Sequence, residues 1–297
     1  MMADLNALSV FTLVAQERSF RAAADRLGVT RSAVSQSIGR LEAALGLALV
    51  RRTTRSVSLT EAGERLNAAL APAIADIQAA VEGTGDLAGR PRGQLRLAVS
   101  SIAERFLAGP LLAGFAAAYP DVQIDVTVTD EEFDIVAEGF DAGVRLGEVI
   151  EQDMIAVPVS GEQRQTVVAS PAYFERAGTP LHPRELAQHR CIGWRPAPKR
   201  APYRWEFTQE GRDFAVAVAP EITTNDMALM IKLAVAGAGI TFGMEETFRP
   251  LVARGELVPV LDAYCPPFAG FYLYYPNRRN LAPKLRALID HLRQSRD

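Results

Sequence analysis

Residues Ser19–Arg52 read SFRAAADRLGVTRSAVSQSIGRLEAALGLALVRR. Ser19 can cap a short helix, Arg21–Leu27, on which Ala23 and Leu27 share a face. Gly28 supplies a tight turn. Thr30 then caps a longer helix, Arg31–Leu45, that stops at Gly46. Its apolar stripe is Val34, Ile38, Leu41 and Leu45, which predicts the buried face. Two helices joined by a short Gly-containing turn make a helix-turn-helix, and the small Ala22-Ala23-Ala24 run lets them cross closely. Opposite the stripe stand Arg31, Ser32, Ser35, Gln36 and Arg40. Their donors and acceptors have the reach for phosphates and base edges. An ordinary solvated face is the competing explanation.

Upstream, Asp4–Glu17 places Leu5, Leu8, Phe11, Val14 and Ala15 on one helical stripe. Downstream, Leu47–Val50 and Ser56–Leu59 predict two short strands around the tip Arg51-Arg52-Thr53-Thr54-Arg55. That hairpin is a wing, and Arg51, Arg52 and Arg55 at its tip suit anions better than plain solvation. Charge points the same way. Residues 1–60 hold eight arginines against Asp4, Glu17, Asp25 and Glu42, whereas the whole chain carries −3. A basic end on an acidic body suits nucleic acid at that end.

Thr60 opens a long predicted helix reaching about Glu82, with Leu66, Leu70, Ile74, Ile77 and Val81 along a coiled-coil-like seam. The seam suggests self-association. Pro72 predicts a kink, so packing within the chain competes. Gly83–Gly93, GTGDLAGRPRG, reads as a linker.

From Gln94 onward strands and helices alternate. Leu95–Val99 is a strand followed by a helix to Tyr119, and Val122–Val128 is a strand followed by Asp130–Glu138. Gly139–Arg145 is a third strand. A fresh unit starts at Thr166–Ala169 and Ser170-Pro171, and strands follow at Trp194, 205–207 and Phe214–Val218. Helix 227–236, strands Ile240–Gly243, Leu257–Leu261 and Gly270–Tyr275, and helix Pro283–Arg293 complete the pattern. Repeated βα units predict mostly parallel α/β sheets in two lobes.

The chain has 297 residues, 48% of them hydrophobic and 23% charged, values of an ordinary globular protein. No apolar run approaches membrane-spanning length, and the first residues lack the look of a secretory signal, so a cytoplasmic protein without membrane contact is expected. Cys191 and Cys265 make no metal spacing, and His182, His189 and His291 do not cluster, so neither metal nor cofactor is expected. The chain lacks G-x-S-x-G, H-E-x-x-H and phosphate-loop motifs, and Gly237-Ala238-Gly239 follows a helix rather than a strand. An enzyme is therefore not expected. Two further rivals are a small-molecule-binding protein of the cytoplasm and a redox-responsive regulator using Cys191, which follows Arg190, or Cys265.

The N-terminal text resembles the LysR-type transcriptional regulators. Phe11–Val14, Ser19–Arg52 and LTEAG at Leu59–Gly63 carry the resemblance. AYPDVQIDV at Ala118–Val126, EGFDAGVRLG at Glu138–Gly147 and VVASPAYFERAG at Val167–Gly178 extend it over nearly the whole chain. The resemblance implies a winged helix-turn-helix, mainly α, at 1–60. A linker and dimerisation helix follows at 61–90. Residues 91–297 would form a two-lobed α/β effector domain like a type 2 periplasmic binding protein, lobe I at about 91–163 and 268–297, lobe II at about 164–267. It also implies homodimers or homotetramers on double-stranded promoter DNA, assembled through the linker helix and effector domains. A small molecule between the lobes would change how they hold DNA. RNA polymerase is a further partner that reading admits.

The family commonly reads Ser-Gln-Pro-Ala-Val-Ser-Arg where this chain has Thr30-Arg31-Ser32-Ala33-Val34-Ser35-Gln36. Arg31 suits guanine and Gln36 adenine, so operator sequence cannot be borrowed from relatives. For the effector, strand-end geometry and the resemblance together nominate Ser100, Ser101, Thr129, Arg145, Thr224 and Asn225. Ser100 and Ser101 would use a helix N-terminus for a carboxylate. Asp130-Glu131-Glu132 beside them would repel one, and Trp194 is expected to pack in the core.

Overall fold

The computed structural model describes residues 4–52, 57–84, 91–107, 109–131, 133–198, 200–277 and 281–295. Helices α1 (Leu5–Glu17), α2 (Phe20–Leu27) and α3 (Arg31–Leu45) lead, each capped by the side chain before it: Asp4, Ser19 and Thr30. Gly28 and Gly46 end α2 and α3 at φ of 64° and 68°, conformations that suit glycine. Phe11, Val14, Phe20, Ala23, Val34, Ile38, Leu41 and Leu49 form one buried cluster. Leu45, expected on the buried stripe, is 42% exposed at the last position of α3, before the Gly46 stop.

Strands β1 (Val50–Arg52) and β2 (Val57–Leu59) pair antiparallel as the wing. Arg51 and Arg52 therefore lie in the strand rather than at its tip, because pairing starts later than the apolar pattern suggests. Helix α4 (Glu61–Thr84) begins against this wing: a Cβ on Gly63 would lie 2.1 Å from the Leu49 carbonyl oxygen. Only glycine lets the helix approach so closely. The helix continues through Pro72 to Thr84, so its last turn takes up the start of the expected linker. Its apolar seam divides. Leu66 and Leu70 pack on the N-terminal core, whereas Ile77 and Val81 are exposed.

β3 (Gly93–Val99) opens the first lobe, followed by α5 (Glu104–Leu107), α6 (Pro110–Ala118), β4 (Val122–Val128), β5 (Ala142–Leu146) and β6 (Met154–Pro158). The expected single helix after β3 is thus two pieces. Gly109 at φ of 70° and Pro110 in the first turn of α6 break it. Among the described residues, the 130–138 segment forms turns rather than a helix.

The second lobe holds β7 (Gln165–Ala169), α7 (Pro171–Ala177), β8 (Ile192–Trp194), β9 (Trp205–Gln209), β10 (Arg212–Val216), β11 (Ile222–Thr224), α8 (Met227–Val235), β12 (Thr241–Met244), α9 (Glu245–Ala253) and β13 (Val258–Val260). The chain then returns to the first lobe with β14 (Phe271–Pro276) and α10 (Pro283–Gln294).

The first-lobe sheet runs β4-β3-β5-β14-β6. β3 is parallel to β4 and β5, but β14 is antiparallel to both β5 and β6. In the second lobe β7 pairs antiparallel with β12 and β13, while β8 and β11 are parallel. The sheets are mixed, correcting the mostly parallel expectation. The returning strand causes this in the first lobe, since β14 enters the sheet from the far lobe and runs against its neighbours. The two crossings between lobes touch at the Gln163–Phe268 bridge. Separate apolar cores fill the lobes, one around Leu97, Phe115, Phe271 and Leu288, the other around Val167, Tyr173, Trp205 and Phe242.

Candidate DNA-reading face and effector cleft

α3 is held from both ends. Thr30 Oγ1 accepts from the Ala33 amide at 3.2 Å and shares a hydrogen bond with Ser32 Oγ at 2.9 Å. The Ser32 hydroxyl is thereby drawn into the cap. Glu42 Oε1 accepts from the Leu49 and Val50 amides at 2.8 and 3.0 Å, tying the helix to the wing. Arg52 donates to Ser35 Oγ at 2.8 Å, lies 3.8 Å from Glu42 and stacks 4.5 Å over the Phe20 ring. Arg52 and Ser35, both expected at DNA, bond to each other here and brace the wing on α3.

Arg31, Gln36, Arg40 and Arg51 differ. All are exposed, and among the described residues no side chain of the four has a hydrogen bond or ion pair. Beneath the α3 members of this set Val34, Ile38 and Leu41 are buried, so the scaffold is fixed while the outer side chains are free. Arg55 lies outside the described residues.

Between the lobes lies an open cleft of about 770 Å³. The first lobe contributes Ser100, Asp130, Phe133, Asp134, Arg145 and Glu151, among others, and the second Trp194, Pro196, Arg200 and Tyr203. Of the expected residues, Ser100 and Arg145 line it, with Ser101 beside them.

Their environments depart from expectation. The helix after Ser101 has only four residues, starting at Glu104, so it offers no sustained dipole to an anion. The Ser101 amide already donates to Asp130 Oδ1 at 2.8 Å. Ser100 is buried, and the hydroxyls of both serines lack a hydrogen-bond partner among the described residues. Arg145 donates to the Glu131 carbonyl and lies 5.6 Å over the Phe133 ring, and among the described residues neither the Asp130 nor the Glu131 side chain pairs with it.

Thr129 and Thr224 fall outside the lining, because each bends its own hydroxyl back to the chain. Thr129 Oγ1 accepts from the Glu131 amide at 3.2 Å and Thr224 Oγ1 from the Asp226 amide at 2.9 Å. Asn225 is exposed and also off the cavity, and Asp226, not Asn225, caps α8 through the Leu229 amide at 2.9 Å. Trp194 is half-buried and faces the cleft, contrary to the core expectation, although it also packs on the core around Phe248. Sequence reasoning missed Phe133, Asp134, Glu151, Pro196, Arg200 and Tyr203. The Pro-rich run Arg195–Pro198 directly after a strand-end tryptophan was the available signal for the second-lobe wall.

The turn beginning at Asp130 continues from the cleft to the N-terminal domain. Phe133 meets Phe140 at 5.5 Å, and Arg96 donates to the Glu138 and Gly139 carbonyls at 3.2 and 3.1 Å. Glu138 then pairs with Arg18 at 3.0 Å. Gly139, at φ of 74°, lies so close to Gln16 that a Cβ would fall 2.6 Å from its side chain.

Cys191 and Cys265 are buried, and burial pushes both thiols up to about 12, helped by Glu221 beside Cys191 and Asp262 beside Cys265. Arg190 is spent on Glu221 at 2.5 Å. Both thiols stay protonated near neutral pH and are weak nucleophiles there.

The model of the LysR substrate binding domain matches residues 88–297, and that of the bacterial regulatory helix-turn-helix protein, lysR family, matches 5–64. A putative transcriptional regulator of Pseudomonas aeruginosa is 42% identical over 99% of this chain and 96% of its own. The uncharacterized HTH-type transcriptional regulator YcaN of Escherichia coli is 39% identical over the same shares. Among solved structures, the full-length Vibrio cholerae virulence activator AphB superposes with a TM-score of 0.63 at 25% identity, covering 98% of this chain and 99% of that one. CrgA of Neisseria meningitidis, a LysR-type regulator, gives 0.57 at 27% identity over 99% of both chains. With both its N-terminal helix-turn-helix and its two-lobed domain matched, this chain belongs to the LysR-type transcriptional regulators.

Proposed function

We propose that this protein binds double-stranded promoter DNA in the cytoplasm as a homodimer or homotetramer, and that a small molecule between its lobes alters that binding. The observation that carries the reading is the outer face of α3: Arg31, Gln36 and Arg40 are exposed and unpaired over a buried base. Arg31 would fork onto guanine, Gln36 onto adenine, and Arg40 and Arg51 would meet phosphates. Functional units follow as 1–60 for DNA, 61–90 for dimerisation and 91–297 for the effector. The exposed Ile77 and Val81 supply the seam for a second copy, continued by the effector domains. RNA polymerase contact is a further step of the same reading.

A carboxylate on the effector would find Arg145 on one wall, while Asp130 already holds the Ser101 amide. Effector binding acts by favouring one lobe arrangement over another. The Asp130–Asp141 segment supplies a route from cleft to α1 through Phe133, Phe140, Glu138 and Arg18. No residue is assigned a catalytic role.

The test is fluorescence anisotropy of the full chain on the intergenic DNA upstream of its own gene, across a salt series. The reading predicts selective binding over random DNA that weakens steeply with salt. Equal affinity for both DNAs contradicts it for that site.

A further inference from the structure

The first-lobe wall of the cleft is already furnished with an anion. Asp130 Oδ1 takes the Ser101 amide, and Asp130 lines the cavity. Its other oxygen has no hydrogen bond among the described residues. Ser100, 9% exposed, lines the same cavity with its hydroxyl unpartnered, and the neighbouring Ser101 hydroxyl is buried and unpartnered too. Buried hydroxyls without partners are costly, so this wall is unfinished without a polar guest.

A carboxylate guest would place a second negative charge against Asp130, which is unfavourable in a half-enclosed site. An ammonium has three donors, matching the free Asp130 oxygen and the two serine hydroxyls. The rest of the lining agrees. Among the described lining residues, Asp130, Asp134 and Glu151 stand with Arg145 and Arg200, and Arg145 is engaged by the Glu131 carbonyl and the Phe133 ring. Phe133, Trp194 and Tyr203 offer aromatic faces, which favour cations and flat apolar bodies.

We propose that Asp130 is the resident anion of this cleft, and that the small molecule it takes presents an ammonium or similar N–H donor to Asp130, Ser100 and Ser101, with an aromatic or apolar body against Phe133, Trp194 and Tyr203. The proposal rests on the regulator reading only in taking this cleft as the effector site.

The experiment is calorimetric titration of the full-length protein at neutral pH with benzylamine, benzyl alcohol and benzoate, which share a ring and differ in one group. Benzylamine is expected to bind at least tenfold more tightly than benzoate. Asp130→Asn is expected to erase that preference, and Ser100→Ala to weaken benzylamine severalfold. Benzoate binding as tightly as benzylamine, a preference untouched by Asp130→Asn, or no binding of any probe overturns the proposal. Should Asp130→Asn not fold, Glu151→Gln, whose side chain makes no hydrogen bond among the described residues, is expected to narrow the preference, and an unchanged ratio overturns it. Promoter binding is measured on the same preparations. Lost amine preference with intact promoter binding refutes the ligand class alone; the converse refutes the regulator reading and spares the ligand class.

Discussion

The DNA-reading face and the effector cleft use polar side chains in opposite ways. On α3 the outward Arg31, Gln36 and Arg40 are free, because caps, buried apolar residues and the Arg52 brace hold the helix without them. In the cleft the charged groups are partly committed, Asp130 by one oxygen to the Ser101 amide and Arg145 to a carbonyl and a ring, and Thr129 and Thr224 beside it are held in their own turns. A rigid scaffold that keeps its functional groups unpaired suits a partner with a fixed, charged surface. A cleft whose walls bond to each other suits a guest that must displace or complete those bonds, and so can report its presence.

That contrast can be broken most severely at the scaffold. Gly63→Ala should destabilise the N-terminal domain by roughly 3 kcal/mol, because its Cβ collides with backbone at Leu49. The denaturation midpoint should fall, and promoter binding with it. A midpoint unchanged within error would mean the helix approaches the wing less closely.

Arg31→Ala touches no protein contact, so the melting temperature should hold. It should cost about 1–3 kcal/mol of DNA affinity and relax preference at one base position per half-site, read by binding selection. Retained selectivity would remove Arg31 from the base-reading set.

The adjacent arginines sharpen the comparison. Arg52→Ala should lower stability by about 1 kcal/mol through loss of the Ser35 bond and the Phe20 stack. Arg51→Ala should leave stability alone and shrink the salt slope of DNA binding by about one unit. The reverse pattern would exchange their roles.

Smallest is Glu138→Gln. Its pair with Arg18 is largely exposed and contributes less than about 1 kcal/mol to stability. Its effect should instead show as a weaker response of promoter binding to benzylamine. An unchanged response would place the route from cleft to α1 elsewhere.

How legible each region is in sequence follows from the range of its forces. The helix-turn-helix is written in local signals: side-chain caps at Ser19 and Thr30, glycine stops at Gly28 and Gly46, and a helical apolar stripe. Even there the stripe points Leu45 inward, whereas burial at a helix end depends on what lies beneath it. The charge of Arg52 is visible in sequence, while the Phe20 ring and Ser35 hydroxyl it meets are tertiary neighbours. In the cleft only strand-end positions could be guessed, and Ser100 and Arg145 were reached that way. The far wall, from Trp194 to Tyr203, is a loop whose position is set by the packing of two lobes. Thr224 and Asn225 lie off the cavity lining, where a turn captures the hydroxyl and Asp226 takes the cap. The mixed sheet escaped too, since β14 joins its partners from more than a hundred residues away.

The most direct measurement is selection of bound fragments from the genome by the wild-type protein and by a variant carrying Arg31→Ala, Gln36→Ala and Arg40→Ala. The account predicts that the wild type enriches fragments sharing paired half-sites, and that the variant, folded to the same melting temperature, enriches none. A variant that recovers the same fragments, or a wild type that enriches nothing, would contradict the claim that this face of α3 reads DNA.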